Sequence, residues 1–283
     1  MDSTNRDRLL NMIPATIVIA TKNEENNIRD AIISSRGFYE VVVVDSNSTD
    51  GTVSLSNSLG ARVINFTWDT RLPKKREWIL RNIDFKTDWI LFLDADERLT
   101  ADLYQELSEF FRNEEKEYSA GQFKMKFIFM GKALKFGHRI RTIKLLRLDS
   151  CEYPQVEDTS FPGMGEMEGH FQAIINGKLK KFSSPLLEAD NDNLSDWFQR
   201  HIRYAEWDST IMSNPSIRSQ VLRYKTKGSR LFYQLPYRSV NFFLYSFFFK
   251  AGFLDGRRGF NFALSYAWYF WLCELLKKDL KQR

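Results

Sequence analysis

The 283-residue sequence predicts an α/β fold: a parallel sheet with helices on both faces, followed by a basic, aromatic helical extension. Three observations carry this. Strand-like apolar runs alternate with helical stripes at the spacing of βαβ units up to Arg112. Two of those runs end abruptly in aspartate, at Asp45 and Asp94. Charge then shifts along the chain: from Pro215 onward there are 13 Lys/Arg against 3 Asp/Glu, while residues 1–214 carry 28 against 33.

Thr16–Ala20 reads as a buried strand. Asn23 suits a helix N-cap, and Ile28, Ala31 and Ile32 give the stripe of the helix behind it. Val41–Val44 is a β-branched strand ending at Asp45, and SNSTDGT is a turn sharpened by Asp50-Gly51. A short helix to Leu59, the strand Arg62–Phe66 and a helix over Leu72–Asn82 come next, with Pro73 fitting a first helical position. Trp89–Leu93 is the next strand and Thr100–Arg112 the next helix. From Gly121 the pattern changes. Gln122–Phe129 and Thr142–Leu148 predict a mixed or antiparallel extension of the sheet, Val156–Gly169 a loop, and Leu194–Ser213 a helix. Two further helices are expected near 238–251 and 259–280, giving a division into residues 1–214 and 215–283.

Several classes fall away. No GxGxxG follows the first strand and no Walker lysine loop is present, so a dinucleotide or P-loop site lacks its phosphate cradle. Cys151 and Cys273, the only cysteines, make neither a disulfide framework nor a zinc site. No apolar run reaches the ~20 residues that span a bilayer. The polar opening MDSTNRDRLLNM has no apolar signal region, which leads to the expectation of a cytoplasmic protein.

The segment LFLDADERLT raises a physical question, because Asp94, Asp96 and Glu97 crowd the end of a buried strand. Packed carboxylates repel and are costly to desolvate, so positive charge is expected beside them. In open α/β sheets ligands bind beyond the C-terminal strand ends, where Asp45, Asp94 and Asp96 lie. An Asp-x-Asp pair there suits a divalent cation, Mn2+ or Mg2+, completed by substrate phosphates. A bare turn leading into the helix at Thr100 is the plainer alternative. The second aspartate-ended strand upstream weighs against it.

IVIATKNEENN, VVVVDSNSTDGT and DWILFLDADERLT together resemble the opening strand and loop, the second element and the metal-binding strand of family 2 glycosyltransferases. They cover about the first third of the chain, and the downstream region resembles the subgroup that builds lipopolysaccharide, lipooligosaccharide and capsule. The resemblance implies a GT-A (Rossmann-like) mixed sheet and inverting transfer from a nucleotide sugar, with uridine the usual base. By position it puts Thr21 and Glu24 beside the nucleotide, Asp45 at the uracil N3–H, Arg76 near the diphosphate, Asp94 at the nucleotide and metal, and Asp96 as the more direct metal ligand. Two departures stand out: Lys22 replaces the usual aromatic and Ser46 the usual second aspartate.

Inversion needs a general base. By resemblance it comes from GMGEMEGHFQ, with Glu168 first, Glu166 second, and His170 orienting either or meeting the acceptor. Glu188 and Asp190 could add a metal or acceptor contact, though an acidic turn explains them equally. His138 and His201 read as packing or surface residues.

The tail RLFYQLPYRSVNFFLYSFFFKAGFLDGRRGFNFALSYAWYFWLCELLKK mixes aromatics with cations. Packing on the catalytic domain explains part of it. A membrane-surface role explains the rest, because aromatics and cations favour an anionic bilayer interface. Nucleic acid is not expected, since no such motif is visible. The expected partners are a nucleotide-sugar donor and a glycan or lipid-linked acceptor, on the cytoplasmic face of the inner (plasma) membrane. Two rivals remain: a haloacid-dehalogenase-type phosphatase, disfavoured because Arg98 stands two residues after Asp96, and a non-catalytic membrane- or sugar-binding module.

Overall fold

A computed structural model describes residues 12–168, 171–189 and 193–282. Its first half alternates β1 (Ile13–Thr21), α1 (Ile28–Ser34), β2 (Phe38–Asp45), α2 (Thr52–Ser58), β3 (Arg62–Asn65), α3 (Lys75–Asn82), β4 (Trp89–Asp94), β5 (Glu97–Leu99) and α4 (Ala101–Asn113). Its second half contributes β6 (Ala120–Phe129), β7 (Lys132–Ala133), β8 (Arg141–Arg147), β9 (Cys151–Glu152), β10 (Ile174–Ile175) and β11 (Leu179–Glu188). The helices α5 (Leu194–Ser213), α6 (Pro215–Arg223), α7 (Lys227–Gln234), α8 (Arg238–Leu244) and α9 (Gly256–Gln282) follow.

The main sheet runs β3-β2-β1-β4-β8-β6-β11-β5, with β7 paired to β6. β3, β2, β1 and β4 are mutually parallel, β8 is antiparallel to β4, and β6 and β11 are parallel to each other. The order reverses between β1 and β4, so a crevice opens at their C-terminal ends, the usual ligand site of such sheets. Residue alternation builds two cores, as a pleated strand buried on both faces requires. Ile17, Ile19, Leu91 and Leu93 pack on one face with α1 and α4, and Val18, Val42, Ile90 and Phe92 on the other with Ile79 of α3.

Several local expectations are corrected. Asn23 is not the cap of α1; with φ +56 it turns back to accept the backbone N–H of Thr49 at 2.8 Å. α1 starts only at Ile28. Pro73 is not at a first helical position either, because α3 starts at Lys75. Elsewhere, β11 is a ten-residue strand, LKKFSSPLLE, and a register shift between Lys181 and Pro185 absorbs the proline. By contrast α5 spans Leu194–Ser213 as its stripe predicts, capped by the Asn193 side chain.

The C-terminal helices pack on the sheet domain. Phe262 of α9 enters the main core against Phe127 and Phe129. Ala205 of α5 meets Tyr269 and Cys273 of α9 in a smaller cluster. A Cβ at Gly259 would lie 1.9 Å from the Gly252 carbonyl oxygen, so only glycine lets α9 begin this close to the preceding turn.

Candidate functional site

The site begins with two loops zipped together. The loop after β1 and the loop after β2 exchange hydrogen bonds: Asn23 N–H to Ser48 Oγ at 2.7 Å, Glu24 N–H to Thr52 Oγ1 at 2.8 Å, and Gly51 N–H to Glu25 Oε2 at 3.0 Å. Polar residues this dense exclude regular structure, and their side chains satisfy the backbone instead. Asp45 lies beneath them, 2% exposed. It accepts from Thr21 Oγ1 at 3.0 Å, Ser48 N at 2.8 Å and Ser48 Oγ at 2.5 Å. A carboxylate offers about four lone-pair sites, so these bonds leave Asp45 little capacity for a further donor. Glu24 turns the chain into α1, its carboxylate accepting from Asn27 Nδ2 at 3.1 Å. Lys22 is exposed.

Ser46, at the position where the resemblance expects an aspartate, has a different role. It receives a hydrogen bond from Lys75 Nζ at 2.6 Å and donates to Glu166 Oε1. Lys75 also donates to the Thr21 carbonyl at 2.9 Å and lies 3.5 Å from Glu166. Burial pulls the Lys75 ammonium below its ordinary value, against the opposing pull of Glu166 and Asp45. Its neighbour Lys74 is equally buried, paired with Asp158 at 2.7 Å and donating to the Met167 carbonyl. Two adjacent lysines at the start of α3 therefore fasten the 156–168 segment against the loops.

Glu168 closes the same junction. Its carboxylate accepts the backbone N–H groups of Arg76, at 2.5 Å, and Glu77, at 3.1 Å. These are donors that the first turn of a helix leaves without partners. Glu168 is thus a long-range cap of α3, 4% exposed. Burial raises its carboxyl above the ordinary value, while Arg76 opposes the rise. His170 and Asp190 lie outside the described residues.

The acidic cluster sits across the crevice. Arg76 Nη2 meets Asp94 Oδ1 at 2.9 Å, and Lys144 Nζ meets both Asp94 Oδ2 and Glu97 Oε2 at 2.7 Å. The positive charge that LFLDADERLT demands therefore comes first from Lys144 and Arg76. Asp94, expected at the nucleotide and metal, has one oxygen on each cation. Glu97 is buried and accepts the Asp94 backbone N–H at 2.9 Å. Arg98 locks the intervening turn, donating to the carbonyls of Ala95 at 2.6 Å and Asn27 at 3.0 Å.

Glu188 joins from β11, directly opposite Glu97 in the antiparallel register, and Ala189 N–H donates to the Asp96 carbonyl at 2.7 Å. Asp94 and Glu97 thus share Lys144, Arg76 adds a second cation to Asp94, and Glu188, Asp96 and Arg98 lie close by. Crowding and burial together bear on their protonation. Burial, with Asp94 and Asp96 adding to it against the pull of Lys144, raises Glu97 to about 8. Burial, with Asp96 and Glu97 close by, pushes Glu188 well up. Among the described residues no group of three or more His, Cys, Asp or Glu is arranged to hold a metal unaided. An all-oxygen donor set of this kind fits a hard divalent cation that takes one or two carboxylates and completes its shell from phosphates and water.

Lys144, Lys75, Lys74 and Glu97 are the residues that sequence reasoning left without a role. A lysine inside the apolar run TIKLL is the signal for Lys144, since lysine is rarely buried unless paired. His138 and His201 do pack on aromatics: His138 against Phe242 and Tyr245, and His201 stacked on Trp197 at 3.6 Å.

Fold and site together define an open α/β protein with a charged cluster at its topological switch point, where such sheets bind ligands. The glycosyl transferase family 2 model matches residues 16–164, more than half of the chain. The protein belongs to glycosyl transferase family 2, and its sheet is the mixed GT-A arrangement. An uncharacterized glycosyltransferase of Rickettsia bellii is 41% identical over 111 residues, which is 38% of this chain and 36% of that protein. One from Rickettsia prowazekii is 38% identical over 117 residues, 40% of this chain and 38% of that protein. The chain therefore matches well under half the length of these relatives. Among solved structures, the mannosyltransferase PcManGT of Pyrobaculum calidifontis, in complex with GDP-Man and Mn2+, aligns over 94% of this chain and 87% of its own at 13% identity, with a TM-score of 0.47. S. aureus TarS 1-349 aligns over 95% and 91% at 15% identity, with a TM-score of 0.41. Glucosyl-3-phosphoglycerate synthase of Mycobacterium tuberculosis, with Mn2+, UDP and glucosyl-3-phosphoglycerate, aligns over 41% and 44% at 26% identity, with a TM-score of 0.31.

Proposed function

We propose that this protein transfers a sugar, with inversion, from a nucleotide sugar, UDP-linked, to a glycan or lipid-linked acceptor in cell-surface polysaccharide synthesis. The observation that carries the proposal is the carboxylate cluster at the strand ends beside the zipped loops, Asp94 and Glu97 on Lys144 with Glu188 opposite Glu97. The loops holding Thr21, Glu24 and Asp45 would receive the nucleoside, and Arg76 would face the diphosphate. Asp96 and Glu188, with whatever lone pairs Asp94 keeps, would hold a divalent cation, Mn2+ or Mg2+. Bound there, such a cation supplies charge neutralisation for a departing diphosphate.

This chain's own residues organise the rest. Lys144 and Arg76 fix Asp94, and Arg98 fixes the Ala95 carbonyl, so the turn that carries Asp96 is held in place. For the base we keep Glu168, with Glu166 second. A carboxyl raised by burial has the direction a base working near neutral pH requires. Taking a proton there requires the cap on α3 to open when acceptor enters. A phosphatase reading is weaker, since Asp94, its required nucleophile, is tied by both oxygens to cations. The work site is proposed as the cytoplasmic face of the inner membrane, reached through the basic C-terminal region.

The test is calorimetric titration of UDP with and without Mn2+, on the protein and on Asp96→Ala. Metal-dependent binding that Asp96→Ala weakens by at least about hundredfold is expected, in line with the loss of one electrostatic partner in a preorganised site. Binding indifferent to both metal and Asp96 would sink the assignment.

A further inference from the structure

Above β6 and β8 the chain makes a hairpin, 130–140, that docks onto the C-terminal aromatic turn. Asp255 spends its carboxylate on two hairpin N–H groups, those of Lys135 at 3.0 Å and Phe136 at 2.8 Å. Gly137 N–H donates to the Lys250 carbonyl at 2.9 Å, and His138 N–H to Ser246 Oγ at 3.1 Å. Arg258 Nε reaches the Met130 carbonyl at 3.3 Å. Two segments about 120 residues apart in sequence thus form one surface.

That surface is apolar at its tip and basic around it. Phe249 is 86% exposed, Leu254 57%, Phe248 55%, Met130 54% and Phe253 48%. Side chains of this size at such exposure are unusual when grouped, and grouped ones mark interaction sites. Residues 124–141 contain six Lys/Arg and no Asp/Glu, and residues 244–262 contain three against the single Asp255. Lys132, Lys135, Arg139, Lys250 and Arg257 are exposed beside the tip.

Topology gives this surface its direction. β8 runs antiparallel to β4, and β6 antiparallel to β8. The end of β6 and the start of β8 therefore emerge at the sheet edge where β4 delivers Asp94. Glu188 ends β11 opposite Phe127, on that same edge. The hairpin and the carboxylate crevice look out from one side of the molecule.

We propose that the hairpin and the 248–258 turn form a composite docking surface for an anionic lipid bilayer, with the aromatic tip entering the interface and the surrounding cations on the headgroups. The proposal rests on the membrane reading above and deepens it, because half of the surface comes from within the sheet domain. Charge complementarity selects the occupant: six cations in the hairpin and the turn against one carboxylate, itself spent on backbone, call for a dense anionic plane. Aromatic side chains flanked by cations suit the interface more than the bilayer core. No helix among the described residues is long and apolar enough to cross a membrane, consistent with docking from one side.

The test is co-sedimentation of the full chain with vesicles of equimolar phosphatidylcholine and phosphatidylglycerol, and with phosphatidylcholine alone. Lys132→Ser/Lys135→Ser removes hairpin charge only, and Phe249→Ser/Leu254→Ser removes the tip. Binding to the anionic vesicles is expected to fall about thirtyfold in the first variant, from about 1 kcal/mol per cation, and at least about tenfold in the second. UDP titration and the melting temperature serve as fold controls, since none of these residues touches the crevice. If the tip variant loses binding and the hairpin variant does not, the composite surface is wrong while C-terminal docking stands. If the unaltered protein ignores anionic vesicles, or if light scattering shows the tip closing a dimer instead, the bilayer is not its occupant.

Discussion

The crevice and the hairpin face handle charge in opposite ways. At the crevice Lys144 and Lys75 are buried, and each touches several partners within a few ångströms. On the hairpin face the cations stand in solvent around exposed aromatics, and the one carboxylate bonds backbone instead. Buried ions are worth what their partners return against desolvation, so each is irreplaceable on its own. Exposed ions are nearly neutral for stability and act through their summed field. A substitution should therefore damage the fold at one place and only the docking at the other.

The largest contrast is expected at Lys144. Lys144→Met leaves Glu97 buried beside Asp94 with no cation between them. A loss of about 3–5 kcal/mol is expected, the range for breaking one side of a buried pair. Lys144→Met/Glu97→Leu should recover part of it in chemical denaturation. A single variant as stable as the parent would mean that the pair does not hold this edge together.

Glu168→Gln comes next and sharpens the comparison inside the crevice. As a base, its loss should cost transfer at least about hundredfold. As a cap, it should cost about 1 kcal/mol, with UDP affinity within about twofold. Transfer near the parental rate, with a lowered melting temperature, would leave Glu168 the cap alone.

A smaller effect is expected at His138, under the hairpin. Burial, with the like charge of Lys250 adding to it, holds its imidazole at about 4 rather than 6.5, and its Nδ1 has no hydrogen-bond partner. Between those values the unfolded chain binds a proton that the folded chain refuses. Stability is therefore unaffected above about pH 7 and falls as pH drops through 6.5 toward 4, by about 2 kcal/mol at pH 5 and about 3 kcal/mol by pH 4. His138→Leu should flatten that slope in melting curves recorded across the window. An unchanged slope would remove His138 from the account.

The smallest effect is expected at Phe249, 86% exposed. Phe249→Ser should change stability by less than about 0.5 kcal/mol. A loss of several kcal/mol would mean that this side chain belongs to the core rather than to a docking surface.

Legibility in the sequence follows the same division. β1, β2 and β4 were readable because strands buried on both faces read as continuous apolar runs, and the aspartate ends of β2 and β4 marked the ligand edge. α5 was readable to the residue because its stripe and its Asn193 cap agree. The start of α3 was not, because the groups that finish it, Glu168 and Lys74–Asp158, arrive from about 90 residues away. Asn23 misled as a cap because a side chain equally fit for capping was needed to join two loops. Lys144 stayed hidden for a topological reason: only the antiparallel pairing of β8 with β4 brings it 50 positions back to Asp94. Asp94 and Asp96 announced a demand for positive charge, but a linear pattern cannot say which distant cation meets it.

The ammonium of Lys75 touches the carbonyl of Thr21, the hydroxyl of Ser46 and the edge of Glu166 at once. The first two belong to the loops that would greet a nucleotide, and the third to the segment that would greet an acceptor. A ligand that draws this nitrogen toward itself loosens its hold on the other side. Free energy spent at one mouth of the crevice is therefore felt at the other, and thermodynamic reciprocity makes the factor equal in both directions. Donor and acceptor would not bind as strangers: each would change the other's affinity through the three contacts of one side chain.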